Sequence, residues 1–226
     1  MSNLVLKSMR EVFSDTMIEI AKKDESVVVI VADISHGLFK NFRKIFPKRY
    51  FNIGICEPSI VNLAAGLNKV GLTPFVHTIA PFLIQRSYEQ IKLDFGYQNL
   101  SINLVSVGSS FDYSKLGCSH HCYEDVANLK HFNKSKIFIP GNSIELNKMI
   151  LNHYKKKNIN YFRLSEYQNK KPILKNGSVV KKGKDITIVV LGHSLDLVWN
   201  ASNKLEHDFI YAEIIYFNQI NNVNMK

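Results

Sequence analysis

The sequence predicts an α/β fold: a mostly parallel sheet with helices on both faces, plus a partial second α/β unit. The run VVVIV at residues 27–31 has no polar alternation, which is typical of a parallel strand covered on both faces. Strand-like and helix-like segments then alternate along residues 8–168 with short connections, and this order favours a parallel sheet. The same alternation restarts at residue 185, after a lysine-rich stretch.

The individual elements follow from their apolar periodicity. Residues 8–23 predict a helix with one apolar face, made by Met9, Val12, Phe13, Met17 and Ile20. After VVVIV, further strands are predicted at YFNIGI, PFVHTI, SINLVSVG, KIFIPG and NYFRLS. Further helices are predicted from Pro58 to about Lys69, from about Pro81 to Tyr97, from near Glu124, and at SIELNKMILNHYKKK.

The chain divides into three intervals. Residues 1–168 are expected to form the first domain, residues 169–184 a solvated linker, and residues 185–226 the start of a second domain. The last interval offers a strand at DITIVVL, a helix through LDLVWNASNKLEHD and a strand at FIYAEIIYF. Because one strand, one helix and one strand make a poor independent core, we expect this unit to be truncated or to pack on a partner.

Composition restricts the class of protein. A chain of 226 residues with 46% hydrophobic and 21% charged residues predicts an ordered globular protein. No stretch approaches the roughly 20 apolar residues that cross a bilayer, and three cysteines do not make a disulfide framework, so we expect a cytoplasmic protein that does not bind membranes. The net charge of +10 invites a nucleic-acid hypothesis. The lysine runs at 152–160 and 169–184 have no helical stripe, however, which favours ordinary surface charge.

Glu57 is a candidate for acid–base chemistry. It follows an apolar strand and precedes Pro58 at a predicted helix start. A carboxyl group buried there without a cation favours its protonated form, so it could hold or donate a proton near neutral pH. The residues alone also allow a simple capping role, in which the helix dipole stabilises the carboxylate.

Four motifs in a fixed order carry a resemblance to a known family. The chain reads ADIS at 32–35, then FNIGICEPSIVNLAAGL, PFVHTIAPFLIQRSYEQI and GCSHHCYEDVANLK, before an IPG turn into a helix. From residue 8 to about 168 this order and spacing resembles the pyrimidine-binding domain of transketolases, especially the separate C-terminal subunits of split transketolases. Residues from 185 onward resemble the start of the family's third domain.

The resemblance implies a thiamine-diphosphate-binding, pyrimidine-type domain. Glu57 matches the glutamate that hydrogen-bonds the pyrimidine ring and activates the cofactor, which requires an acid kept protonated by an apolar site. Phe82 matches the aromatic residue that stacks on the ring, and Asp33 and Ile34 match an Asp-Leu pair close to the thiazolium. Without the resemblance, Phe82 would be interpreted as a core residue and Asp33 as a turn residue.

The stretch GCSHHCYED at 117–125 poses a choice between metal and substrate chemistry. The resemblance matches His120 to the active-site histidine that contacts the substrate or the reaction intermediate. Zinc is disfavoured, because four donors within five residues cannot all wrap one tetrahedral ion and no second cluster lies at zinc spacing. We therefore predict no metal ligands in this chain. Cys118 and Cys122 are then bystanders, and Cys56 is expected to be a small buried apolar residue.

The chain departs from the family on the substrate side. Leu116 stands where transketolases commonly carry an Asp that contacts a substrate hydroxyl, and Glu166 stands where an Arg often grips substrate phosphate. A carboxylate there would repel phosphate, and Arg163 matches an internal strand residue rather than the phosphate ligand. The resemblance thus implies a kept cofactor half and a changed substrate half, for an unphosphorylated or nucleotide-linked sugar.

A partner subunit also follows from the resemblance. Thiamine enzymes hold the diphosphate through Mg²⁺ bound by a G-D-G motif, which this sequence lacks. A separate diphosphate-binding transketolase subunit would then carry the Mg²⁺, in a heterotetramer made of two such pairs. The leading function is transfer of a two-carbon ketol unit between sugars. The alternatives are the beta subunit of a 2-oxoacid dehydrogenase, a deoxyxylulose-phosphate-synthase-like enzyme, and a non-catalytic scaffold subunit.

Overall fold

The fold was analysed in a computed structural model that describes residues 6–220, so residues 1–5 and 221–226 of the two predicted domains lie outside the described residues. Its main sheet has six strands: β1 Val27–Val31, β2 Tyr50–Asn52, β3 Thr73–Ile79, β4 Ile102–Val107, β5 Ser135–Phe138 and β6 Ile159–Arg163. Their order is β2-β1-β3-β4-β6-β5, and every neighbouring pair is parallel. The predicted parallel sheet is confirmed.

Helices cover both faces of this sheet. They are α1 Met9–Ala21, α2 Lys40–Ile45, α3 Glu57–Lys69, α4 Tyr88–Gln90, α5 Asp125–Lys130 and α6 Ser143–His153. One core layer packs α1, α2 and α6 against the sheet, and a second layer packs α3, α5 and the segment around α4 against the other face. All five residues of β1 are buried, as the VVVIV pattern predicts.

The predicted long helix between Pro81 and Tyr97 is not a continuous α-helix. Pro81–Gln85 and Ile91–Tyr97 are π-helical, and the short α4 lies between them. In these turns the backbone bonds span five residues, as from the Arg86 amide to the Pro81 carbonyl at 3.0 Å. Turns of this kind occur frequently at functional sites, and the first of them carries Phe82.

The second unit is a three-stranded sheet with one helix. It contains β7 Ser178–Lys181, β8 Ile186–Leu191, α7 Leu195–Leu205 and β9 Ala212–Phe217. The strand order is β7-β9-β8, with β9 antiparallel to β7 and parallel to β8. Strand β7 lies inside the lysine-rich stretch 169–184 that was expected to be a solvated connection. The strand has only four residues, SVVK, and lysines flank it closely, so its apolar pattern is too short to predict a strand from the sequence.

The second unit packs on the first through buried polar contacts. The Tyr216 hydroxyl donates to Glu145 Oε2 at 2.7 Å, and the Asn169 side chain donates to the Gly192 carbonyl at 2.9 Å. Its own small core contains Val190 and Leu195. The expected alternatives were truncation or packing on a partner, whereas these contacts join the unit to the first domain of the same chain. Across residues 6–220, no helix combines the length and apolarity needed to cross a membrane.

Candidate cofactor cleft

A cleft of about 480 Å³ opens at the carboxyl end of the main sheet. The loop after β1, the start of α3 and the end of β3 form its walls. Four of the five residues predicted from the sequence line it: Asp33, Ile34, Glu57 and Phe82. In open α/β sheets, ligands bind outside the carboxyl ends of the strands. The cleft is thus the place where this fold offers a ligand site.

The loop after β1 is held in an unusual backbone conformation. Asp33 and Ser35 have positive φ angles of 65° and 59°, in the left-handed region that L-residues seldom adopt. Asn52 fixes the loop from β2, because its Oδ1 accepts from the Asp33 amide at 3.0 Å and its Nδ2 donates to Asp33 Oδ1 at 3.2 Å. Such strain persists only where the surroundings enforce it, and it clusters at functional sites.

A buried histidine orients one side chain of this loop. His77 Nδ1 lies 2.8 Å from the Val105 carbonyl, so Nδ1 carries the proton and Nε2 accepts from the Ser35 hydroxyl at 2.9 Å. Burial lowers the pKa of His77 to about 4, which keeps the ring neutral at physiological pH. The Ser35 hydroxyl thus donates to His77, and because Ser35 lines the cleft its oxygen can accept a hydrogen bond from a ligand.

Glu57 is the first residue of α3 and is only 2% exposed. The expectation that it lies in an apolar site without a cation is wrong, because Arg86 Nη1 donates to Glu57 Oε2 at 2.8 Å. The π-helical turn brings this arginine back over the start of α3.

Phe82 connects the predicted residues to one another. The Arg86 guanidinium carbon lies 4.2 Å from the centroid of the Phe82 ring, a cation–π contact. The His120 ring packs edge-on against Phe82 at 5.2 Å between centroids. Glu57, Arg86, Phe82 and His120 therefore form one continuous chain of contacts, contributed by α3, the π-helical turn and the loop at 117–125.

A buried ion pair anchors the loop that carries His120. Ser110 and Cys122 close its base through two backbone hydrogen bonds of 2.7 and 2.9 Å. Arg163 Nε donates to Asp125 Oδ2 at 2.7 Å, and its Nη2 donates to Ser110 Oγ at 2.7 Å. Both charged side chains are buried, so Arg163 is a structural residue of β6, as the sequence predicts.

The cysteines occupy three different environments. Cys56 is exposed, so its predicted burial is wrong: β2 ends at Asn52 and the following loop projects from the sheet, with Ile55 71% exposed. Cys122 is buried, and desolvation raises the pKa of its thiol to about 12. It therefore stays a thiol, whereas metal binding needs the thiolate. Within the described part of the chain, no three His, Cys, Asp or Glu side chains are grouped to hold a metal ion.

Of the two substrate-side departures, Glu166 lies beside a residue that lines the cleft. Leu116 ends a short 3₁₀ turn and is 59% exposed. Glu166 Oε1 accepts from the Tyr113 hydroxyl at 3.0 Å and lies 3.6 Å from Arg10 Nη2. Arg10 also lines the cleft. The carboxylate of Glu166 is thus partly balanced by a cation that sequence reasoning missed.

Arg86 was also missed, although the sequence contains a signal for it. It stands four residues after Phe82, a spacing that brings side chains together on one face of a helix. Arg10 offered no such signal, because its contact with Glu166 joins residues 156 positions apart. The Ser35–His77 bond spans 42 positions and was equally hidden.

Comparison with known proteins identifies a family that matches most of this chain. Residues 6–170 match the family described as "Transketolase, pyrimidine binding domain". An "Uncharacterized 33.6 kDa protein in fasciation locus" of Rhodococcoides fascians is 34% identical over 90% of this chain and 66% of its own length. A subunit of the apulose-4-phosphate transketolase of Actinobacillus succinogenes is 31% identical over 89% of this chain and 67% of its own length. This chain thus spans about two thirds of the length of these relatives.

A solved structure extends the comparison to three dimensions. The protein described as "Split gene transketolase, inactive beta4 tetramer" superposes with a TM-score of 0.80 at 27% identity, over 93% of this chain and 71% of that one. Membership of this family implies dependence on thiamine diphosphate. The chain belongs to the transketolase family, as a pyrimidine-binding subunit of the split-transketolase type.

Proposed function

We propose that this chain is the pyrimidine-binding subunit of a two-subunit, thiamine-diphosphate-dependent enzyme that transfers a two-carbon ketol unit between sugars. One observation supports this above the others: Asp33, Ile34, Glu57 and Phe82 share one cleft, and His120 packs on the Phe82 ring. These residues come from four separate segments, and the fold brings them together where a ligand can enter.

Each of these residues has a distinct role in the proposal. Glu57 would hold the pyrimidine ring through a hydrogen bond, and Phe82 would stack on that ring. Asp33 and Ile34 would support the thiazolium part of the cofactor. When bound, thiamine diphosphate supplies the electron sink that stabilises a carbanion, while the protein binds and orients it. His120 stands above Phe82, where it can exchange a proton with the substrate.

The proposal includes a partner that binds the diphosphate and its Mg²⁺. A large apolar side chain is exposed in the wall of the cleft: Ile55 lines it and is 71% exposed. Exposed apolar groups next to a cleft support coverage by another subunit. We expect two such pairs to assemble into a heterotetramer. The three free thiols Cys56, Cys118 and Cys122 agree with a reducing, cytoplasmic compartment.

The substrate end of the cleft favours a sugar without a phosphate at that position. Glu166 adds a carboxylate there, and Arg10 is engaged with it rather than free to grip an anion. Leu116 offers no hydrogen bond to a sugar hydroxyl. An unphosphorylated or nucleotide-linked sugar fits these groups better than a sugar phosphate.

A donor assay tests the proposed activity. The chain, mixed with a diphosphate-binding transketolase subunit, thiamine diphosphate and Mg²⁺, should turn over hydroxypyruvate as a ketol donor in preference to pyruvate. Preference for pyruvate would favour a 2-oxoacid dehydrogenase or a deoxyxylulose-phosphate-synthase-like enzyme instead.

A scaffold role is the second candidate, because the substrate-side groups Leu116 and Glu166 differ from the family pattern. A stable complex that binds the cofactor but turns over no donor would establish that role and overturn the transferase.

A further inference from the structure

A second cavity, of about 510 Å³, lies between the first domain and the second unit. We call it the seam cavity. Three segments line it: residues 110–112 after β4, residues 167–168 after β6, and residues 193–197 at the start of α7. Its volume falls in the range of about 300–1,000 Å³ that is typical of small-molecule sites. None of its lining residues belongs to the cofactor cleft, so it is a separate candidate site.

Glu166 places the seam cavity next to the substrate end of the cleft. Its amide donates to Asp112 Oδ2 at 3.2 Å, and Asp112 lines the seam cavity. Its carboxylate lies 3.6 Å from Arg10 Nη2, and Arg10 lines the cleft. A single residue therefore contacts the walls of both cavities, which makes them neighbours at this end of the molecule.

Aromatic rings give the seam cavity flat surfaces. Phe111 and Tyr167 are 56% and 65% exposed. The Tyr167 ring lies near-parallel to the His193 ring, at 26° with 6.3 Å between centroids, and Phe111 stacks on Tyr123 at 5.7 Å. Rings that are already ordered by their neighbours bind a ligand at a lower entropic cost. Their apolar faces fit the C–H face of a sugar ring.

Polar groups with free hydrogen-bonding capacity surround these rings. The Tyr167 hydroxyl, the His193 ring and Asp196 Oδ1 have no hydrogen-bond partner within residues 6–220. Burial lowers the pKa of His193, so its neutral ring offers one donor and one acceptor. Ser110 Oγ accepts from Arg163 Nη2 at 2.7 Å, which leaves the Ser110 hydroxyl hydrogen free to donate. Mixed donors and acceptors of this kind suit a ligand that is rich in hydroxyl groups.

The charges of the seam cavity disfavour an anion. The carboxyl groups of Asp112 and Asp196 line it, whereas none of its described lining residues is a lysine or arginine. The Arg163 guanidinium behind Ser110 is paired with Asp125 at 2.7 Å. A phosphate would therefore meet carboxylates without a free cation, while sugar hydroxyls can donate to them in charge-assisted hydrogen bonds.

We propose that the seam cavity binds an uncharged sugar ring, stacked on Tyr167 and hydrogen-bonded by Asp196, as a subsite for the part of the sugar substrate that stays outside the cleft. The assignment to a substrate rests on the proposed function. It deepens that function by naming the substrate class, a sugar whose far end is an uncharged ring.

Binding of simple sugars to the full chain tests the proposal without turnover or a partner. The probes are the methyl glycosides of glucose, galactose and mannose, followed by saturation-transfer NMR, and at least one should bind. Tyr167→Ala should weaken that binding about tenfold, the loss expected for one aromatic contact. The matched control is Tyr97→Ala, which removes a tyrosine that is 87% exposed and precedes the amino end of β4, and it should leave binding unchanged.

A charged probe tests the role of the carboxylates. The 6-phosphate of the sugar that binds should bind more weakly than its methyl glycoside, because the phosphate is repelled. Asp196→Asn should weaken binding of the glycoside and narrow the difference between the two probes. Equal binding of both probes to the wild type would overturn the assignment to an uncharged ring.

The remaining outcomes separate this inference from the proposed function. The inference is overturned if no glycoside binds, if adenine binds in their place, or if Phe82→Ala rather than Tyr167→Ala weakens the binding, and turnover of hydroxypyruvate with the partner would still support the transferase. Conversely, Tyr167-dependent sugar binding without any donor turnover would retain the sugar site and remove its role in ketol transfer. Should Tyr167→Ala fail to fold, Tyr167→Leu keeps the apolar bulk without the ring and should also weaken binding; unchanged binding would overturn the inference.

Discussion

The two sides of the cleft are built differently. On the inner side, Asp33 and Glu57 follow strands of the buried sheet, and each is fixed by a hydrogen bond from another element. On the outer side, Leu116 is 59% exposed, and the half-exposed Glu166 carboxylate contacts Tyr113 and Arg10. Residues tied to the core cannot change without disturbing the fold, whereas residues on an anchored loop can. We therefore expect the inner side, proposed to bind the cofactor, to tolerate fewer substitutions than the outer side, proposed to face the substrate.

The inner side should show the largest effect on activity. Glu57→Ala removes the carboxyl group that is proposed to hydrogen-bond the pyrimidine ring. Turnover by the chain with its partner should therefore fall about a thousandfold. The measurement is the initial rate with saturating thiamine diphosphate. A circular dichroism spectrum like that of the wild type serves as the control for folding. A variant with full activity would remove the functional distinction between the two sides.

Loss of the Asp125–Arg163 ion pair, which anchors the loop at 117–125 on the outer side, should show the largest effect on stability. Asp125→Asn leaves Arg163 as an uncompensated buried charge, so the free energy of unfolding should fall by about 3–5 kcal/mol. Urea denaturation measures this change. The matched control is Glu89→Gln, which removes an exposed carboxylate and should change stability by less than about 0.5 kcal/mol. Equal stability of the two variants would mean that the ion pair does not hold the loop.

His77, which lies behind the inner side of the cleft, should make the stability of the fold depend on pH. Its folded pKa is lowered to about 4 from 6.5, so the unfolded chain binds more protons between these values and stability falls as the pH drops below 6.5. The loss due to this residue should reach about 2 kcal/mol between pH 7 and pH 5. His77→Gln should flatten that part of the profile. Since burial also lowers the pKa of His153 and His193, the difference between variant and wild type is the relevant quantity.

Removal of the His120 side chain from the loop at 117–125 should have smaller effects on activity and stability. His120 is partly exposed and contacts Phe82 only at its edge, so His120→Ala should lower turnover about tenfold to hundredfold, with no change in unfolding free energy beyond about 0.5 kcal/mol. Activity assays and urea denaturation on the same preparation measure both quantities. A large loss of stability would show that His120 belongs to the structural half of the site.

The sequence predicts most of the sheet because the evidence for it is local. The run VVVIV predicts a buried strand without any information from the rest of the chain. The order of the motifs matches Asp33, Glu57 and Phe82 to one family pattern. Features that depend on distant contacts stayed hidden. Arg86 turns Glu57 from an apolar acid into half of an ion pair, and Ser35 meets His77 across 42 positions. Strand β7 was missed because its pairing with β9, not its composition, makes it a strand.

Calorimetry of cofactor binding tests the central claim, that the cleft is one half of a shared cofactor site. Thiamine diphosphate with Mg²⁺ would be titrated into this chain alone, into a diphosphate-binding transketolase subunit alone, and into their mixture. We predict that saturable, tight binding occurs only in the mixture, and that Glu57→Ala weakens it. Equally tight binding to the partner alone, or no binding in the mixture, would contradict the claim.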